Sequence, residues 1–152
     1  MTKKLLLLTT VFLALACSKD DDSGETFLDK YNGTSWTVED SEEILTFSNG
    51  TYFFNQYFAG DTFIEGNEED TFECMKYKEG TNVIFGMEFT YEILKNEANE
   101  LSFEATFIGQ KLGTIKFTPQ GENLIMTETS IEEGVETTII IPSDSSYYDY
   151  CS

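Results

Sequence analysis

Leu101-Ser102-Phe103-Glu104-Ala105-Thr106-Phe107 decides the fold class. In an extended chain successive side chains point to opposite faces. Leu101, Phe103, Ala105 and Phe107 therefore share one side, and Ser102, Glu104 and Thr106 the other. A helical turn of 3.6 residues would scatter the four apolar residues around its circumference. The stretch predicts a strand with one face on a core and one in water, as antiparallel sheets allow.

The same rhythm continues on both sides. Gly109 to Lys111 turns, and Leu112 to Thr118 returns with Ile115 and Phe117 inward. After Pro119-Gln120-Gly121, Asn123–Ser130 and Val135–Ile141 predict a last hairpin, which Pro142 ends. Toward the N-terminus, Val83 to Leu94 predicts one long strand with Phe85, Met87, Phe89, Tyr91 and Ile93 on one side. Thr71–Lys78 predicts another strand, carrying Cys74. Gly60 to Asp70 is acidic and loop-like, with at most a short strand at Thr62–Ile64. Thr51–Phe58 pairs with the strand of Leu45 and Phe47 across Asn49-Gly50, which predicts a type I′ hairpin turn. Trp36 and Val38 alternate in the first strand. Before it, Phe27, Leu28 and Tyr31 share a face at helical spacing, and Asn32-Gly33 stops that turn.

About eight to ten short strands with tight turns, and no helix long enough for a parallel crossover, predict an all-β antiparallel up-and-down meander. Closure as a small barrel would remove exposed edges from these aromatic strands; a β-sandwich is the alternative. Thirteen Phe, eight Tyr and Trp36 argue for a packed core despite a net charge of −19.

The N-terminus reads as an export signal. Lys3 and Lys4 precede the apolar run Leu5 to Ala16, which is shorter than the about 20 residues a membrane-spanning helix needs. Ala14, Ala16 and Cys17 resemble the lipobox of bacterial lipoproteins, which implies cleavage before Cys17 and its lipidation. Ser18-Lys19-Asp20-Asp21-Asp22 resembles the acidic export signal of Bacteroidota lipoproteins, which implies the outer membrane and its cell-surface face. Residues 1–16 are thus expected to be a signal peptide, 17–24 a lipidated flexible tether, and 25–152 a single domain. Cleavage would remove Lys3 and Lys4 and deepen the charge to −21.

With Cys17 lipidated in an oxidising compartment, Cys74 and Cys151 are left with one intrachain pairing; free thiols and an intermolecular bridge are the alternatives. The expectation is that they pair and staple the polar tail Ser143–Ser152 to the strand of Cys74.

Tyr31-Asn32-Gly33-Thr34-Ser35-Trp36 and Leu45-Thr46-Phe47-Ser48-Asn49-Gly50-Thr51-Tyr52 resemble the opening of the lipocalin-like lipoproteins of Bacteroidota. There a Gly-Thr-Trp element starts the first strand and a Thr-Phe…Gly-Thr-Tyr hairpin follows. The resemblance implies a small lipocalin-like barrel with room for an apolar ligand.

The chain contains no Arg and no His, which removes the commonest general base, the commonest metal ligand and the bidentate phosphate clamp. Its charge should repel nucleic acid. Glu65-Gly66-Asn67-Glu68-Glu69-Asp70 offers oxygen ligands for calcium without EF-hand spacing, so no metal site is assigned, and no cofactor is expected. The sequons at Asn32 and Asn49 fall on turn signals. Only a carboxylate mechanism is open to an enzyme here, and enzyme is the least favoured class. The favoured function is a surface-anchored binding module for a small, largely apolar ligand, with Trp36, Phe47, Phe54, Phe85, Phe89, Phe103, Phe107 and Phe117 as candidate lining residues. The alternative is an interaction protein presenting loops, or the tail Ser145-Ser146-Tyr147-Tyr148-Asp149-Tyr150, to a protein or glycan.

Overall fold

A computed structural model describes residues 24–64, 67–84 and 86–151, excluding the side chains of residues 59–72. The signal segment, Cys17 and Phe85 lie outside the described residues. The fold is all-β. Ten strands form one antiparallel sheet, β1 (Ser35–Val38), β2 (Ile44–Phe47), β3 (Phe54–Ile64), β4 (Asn67–Tyr77), β5 (Gly80–Ile84), β6 (Met87–Glu97), β7 (Glu100–Phe107), β8 (Gln110–Gln120), β9 (Asn123–Ser130) and β10 (Gly134–Pro142). Their order around the sheet is β4-β3-β2-β1-β10-β9-β8-β7-β6-β5. β1 pairs with β10, so the meander curls into a nearly closed barrel whose open seam lies between β4 and β5. One continuous sheet excludes the sandwich.

In a meander, alternate connections fall at opposite ends. At one end lie the β2–β3, β6–β7 and β8–β9 connections and the helical turn α1 (Phe27–Lys30); we call it the plug end. The β1–β2, β5–β6, β7–β8 and β9–β10 hairpins gather at the other end, the mouth.

The plug end is packed and its caps are hydrogen-bonded. Thr26 caps α1, its Oγ1 accepting from the Asp29 N–H at 3.1 Å while the Asp29 carboxylate accepts from the Thr26 N–H at 3.0 Å. A single turn has little stability of its own. It is held because Phe27 and Leu28 are buried, and because the Leu28 N–H donates to Asn96 Oδ1 of β6 at 3.1 Å. Phe27 packs edge-on to Phe47 at 5.3 Å, and Phe47 edge-on to Phe117 at 5.0 Å. Tyr31 meets Trp36 at 5.8 Å, and the Trp36 indole donates to Thr34 Oγ1.

Several expectations are corrected. Asn49-Gly50 is not a type I′ turn: β2 ends at Phe47 and β3 begins at Phe54, and Gly50 is not among the glycines with positive φ. The side chain of Asn49 is engaged instead by Asp29, and its N–H by Asn32 Oδ1 at 2.9 Å, which ties this longer loop to α1. The acidic stretch after Gly60 is strand: β3 and β4 stay paired from Phe54↔Tyr77 to Ile64↔Asn67. Val83–Leu94 is two strands, because Gly86 at φ +75° turns the chain between β5 and β6. Gly113 has another role: a Cβ there would stand 2.0 Å from the Thr129 carbonyl oxygen, so β8 and β9 approach this closely only at glycine.

The tail covers the outer face of β2. After Pro142 the chain recrosses the barrel wall and ends in a helical turn, α2 (Tyr147–Tyr150). The Tyr147 N–H donates to Thr46 Oγ1 at 3.0 Å, Tyr147 is buried, and Tyr150 stacks on Tyr57 at 4.3 Å. Cys151 forms the expected disulfide with Cys74, Cα to Cα 5.9 Å. All four residues of β2 are consequently buried, two by the core and two by the tail.

Candidate functional site

Between plug and mouth the interior is not filled. A cavity of about 170 Å3 is walled by Leu45, Phe54, Phe103, Ala105, Ile115, Phe117 and Met126, with Tyr77 and Tyr91 at its side and Glu43, Gln56 and Glu128 toward the mouth. At roughly 30 Å3 per water it has room for about five waters or one small ring.

Period-two alternation carries each polar group inward. Glu43, just before β2, is in step with Leu45 and Phe47, which descend that strand from mouth to plug, and Leu124, Met126 and Glu128 ascend β9. The Glu43 backbone is pinned: its N–H donates to Ser41 Oγ at 3.1 Å, and its carbonyl accepts from Thr37 Oγ1 at 2.7 Å. Its side chain ends a hydrogen-bonded chain. The Tyr77 hydroxyl donates to Gln56 Oε1 at 2.7 Å, and Gln56 Nε2 donates to the Glu43 carboxylate.

Burial sets the electrostatics. It pushes the Glu43 carboxyl above its ordinary value, and the Gln56 hydrogen bond only partly offsets this. Desolvation at the mouth raises Glu128 too, followed by the charges of Glu136, directly across on β10, and of Glu43. Glu128 is partly solvent-exposed, which weakens these effects. Burial pushes the Tyr91 phenol up to about 12 and raises Tyr77 further, so both remain hydrogen-bond donors at neutral pH. The site is an aromatic pocket capped by carboxylates with no described cation to balance them.

Of the aromatic residues expected to line a cavity, Phe54, Phe103 and Phe117 do. Trp36 and Phe47 are buried in the packed layer toward the plug and do not touch the cavity. Phe89 and Phe107 pair with one another across β6 and β7 at 5.2 Å, near the mouth. Glu43, Gln56, Tyr77, Tyr91 and Glu128 were not singled out by sequence. The signal for the acids was the alternation itself, which puts Glu43 in step with Leu45 and Glu128 in step with Met126.

The acidic stretch Glu65–Asp70, to which no metal site was assigned, falls partly outside the described residues. Among the described residues no group of three acids or cysteines is arranged to hold a metal. The tyrosines of the tail divide: Tyr147 is buried on the barrel wall, whereas Tyr148 and Tyr150 are exposed. Comparison with family models, with curated proteins and with solved structures finds no match to this chain.

Proposed function

We propose that the protein is a lipid-anchored binding module, held at the outer membrane through Cys17, whose barrel takes a small ligand with an apolar body and a cationic amine head. The observation that carries this reading is the polarity of the cavity, aromatic below and carboxylate above. The raised Glu43 carboxyl supports it, since a desolvated negative charge gains most from a positive partner. The apolar body would gain about 25 cal/mol per Å2 of surface withdrawn from water. Titration with benzylamine, followed by backbone amide shifts, tests the proposal. Saturable shifts at Glu43, Phe54 and Phe103 are expected, with binding at least tenfold weaker in Glu43→Gln and weaker for benzyl alcohol. Equal binding of the amine and the alcohol would overturn the cationic head, and no saturable shift with either would overturn the binding module.

A second reading, docking of a partner on the mouth, has its own support. Three adjacent hairpins each bring exposed aliphatic residues there: Val83 and Met87, Ile108 and Leu112, Ile131 and Val135. Ile108 is 82% exposed and sits at φ +49°, a left-handed conformation that a β-branched residue adopts only under strain.

A further inference from the structure

The seam between β4 and β5 is the one place where the barrel leaves two strand edges unpaired. Only Lys78 and Glu79 separate the two strands, a connection short enough for a hairpin. They do not pair because the Asn82 side chain takes the place its backbone would have held. Its Oδ1 accepts from the Lys78 N–H at 2.9 Å, and its Nδ2 donates to the carbonyls of Lys78 and Gly80 at 2.8 and 2.9 Å. The Tyr77 carbonyl meanwhile accepts from the Phe53 N–H. Held apart at their root, the strands leave a groove of about 630 Å3, far larger than the interior cavity.

The two walls of the groove differ in chemistry. Tyr77 and Ile84 pack on the core, so Met75 and Glu73 on β4, in step with Tyr77, and Asn82 on β5, in step with Ile84, form the inner floor. Cys74 and Lys76 belong to the outer face, where Cys74 joins Cys151 and the Lys76 ammonium lies 5.7 Å from the Tyr147 ring and 6.0 Å from the Tyr52 ring. Lys78 and the exposed Val83 complete the outer rim. On a chain of net charge −19, this groove is lined by two lysines against one carboxylate, Glu73. Neither makes an ion pair with a described carboxylate.

We propose that this seam receives an extended segment of a partner protein, alternating aliphatic and acidic residues, as an added strand between β4 and β5. Both edges offer backbone groups to such a strand, which gives the contact its affinity, and alternate side chains read its sequence. Aliphatic residues face Met75 and Ile84, and acidic residues face Lys76 and Lys78. Gly80 is already engaged by Asn82, so the remaining residues of β5, Thr81 to Ile84, set the length of double-sided pairing, about 13 Å at 3.3–3.4 Å per residue.

The probe is a fluorescein-labelled peptide, Thr-Val-Glu-Val-Glu-Val-Thr, titrated by anisotropy against the disulfide-bonded protein. Saturable binding is expected. It should weaken at least tenfold in the double variant Lys76→Glu, Lys78→Glu, and that variant should prefer the peptide carrying Lys in place of Glu. Methylation of alternate backbone nitrogens should abolish binding by removing the ladder donors. No saturable binding, binding indifferent to N-methylation, or a variant with unchanged preference would each overturn the proposal. So would self-association of the protein that the peptide fails to disrupt, because the seam would then belong to a second copy of the chain.

Discussion

The two ends of the barrel are built on opposite principles. At the plug end the polar side chains that meet the core are partnered: Thr26 caps α1, Asn96 takes the Leu28 N–H, and Thr34 takes the Trp36 indole. The apolar groups there are buried and interlocked. At the mouth the arrangement is worse for stability. Glu43 is desolvated, Glu128 and Glu136 stand directly opposite with like charge, Ile108 is strained, and six aliphatic residues face solvent. Features that cost stability and gather at one end mark where a fold does its work. The interlocked packing of this protein is concentrated in its plug, and the ligand site we propose opens toward the mouth.

That contrast can be broken by substitution. The largest effect is expected at the plug. Phe47→Ala removes a fully buried ring that touches Phe27, Phe54 and Phe117 and should cost about 3–5 kcal/mol in urea unfolding. A loss below about 1 kcal/mol would show that the plug is not the anchor. Asn96→Ala comes next. It strands the Leu28 N–H and should cost about 1–3 kcal/mol, with faster amide exchange confined to α1. Uniform exchange across the barrel would contradict a local plug.

At the mouth the sign should reverse. Ile108→Asn relieves the left-handed strain and should stabilise by about 1 kcal/mol. If that substitution destabilises, Ile108 makes a contact that outweighs its backbone cost. The smallest effect is expected for Glu43→Gln. Burial raises the folded pKa of Glu43 above its ordinary 4.5, so this group favours folding below pH 4.5 and loses that contribution as pH rises through the folded value. At pH 7 the ionised carboxylate therefore destabilises, and the glutamine variant should melt slightly higher. The difference should vanish below pH 4.5. An equal shift at both pH values would mean that packing, not charge, governs the position.

Much of this was legible in the chain. The alternation at Leu101–Phe107 gives β7 with Leu101 and Phe103 buried, and Ile115 and Phe117 point inward as their spacing predicts. Phe27, Leu28 and Tyr31 announce a helical face, but nothing local says that the face closes a barrel. Asn49-Gly50 misleads because local turn chemistry yields to a tertiary hydrogen bond with Asp29. The inward acids were readable from alternation, whereas the seam was not. Its existence depends on which strands pair at long range and on one asparagine competing with its own backbone.

The Cys74–Cys151 bond has a topological consequence. Its cysteines stand 77 positions apart in sequence, so it makes the second half of the molecule a covalent ring holding β5 to β10, and leaves β1 to β3 on an open arm. A protease nick anywhere from Met75 to Tyr150 would open that ring without releasing a fragment. A nick in the loop between Ser48 and Phe53 would sever α1, β1 and β2 from the ring, leaving them held by packing and hydrogen bonds alone. Since any lipid anchor at Cys17 lies on that arm, cleavage there followed by unfolding would set the ring free of the membrane, whereas cleavage within the ring would leave every piece tethered until the disulfide is reduced.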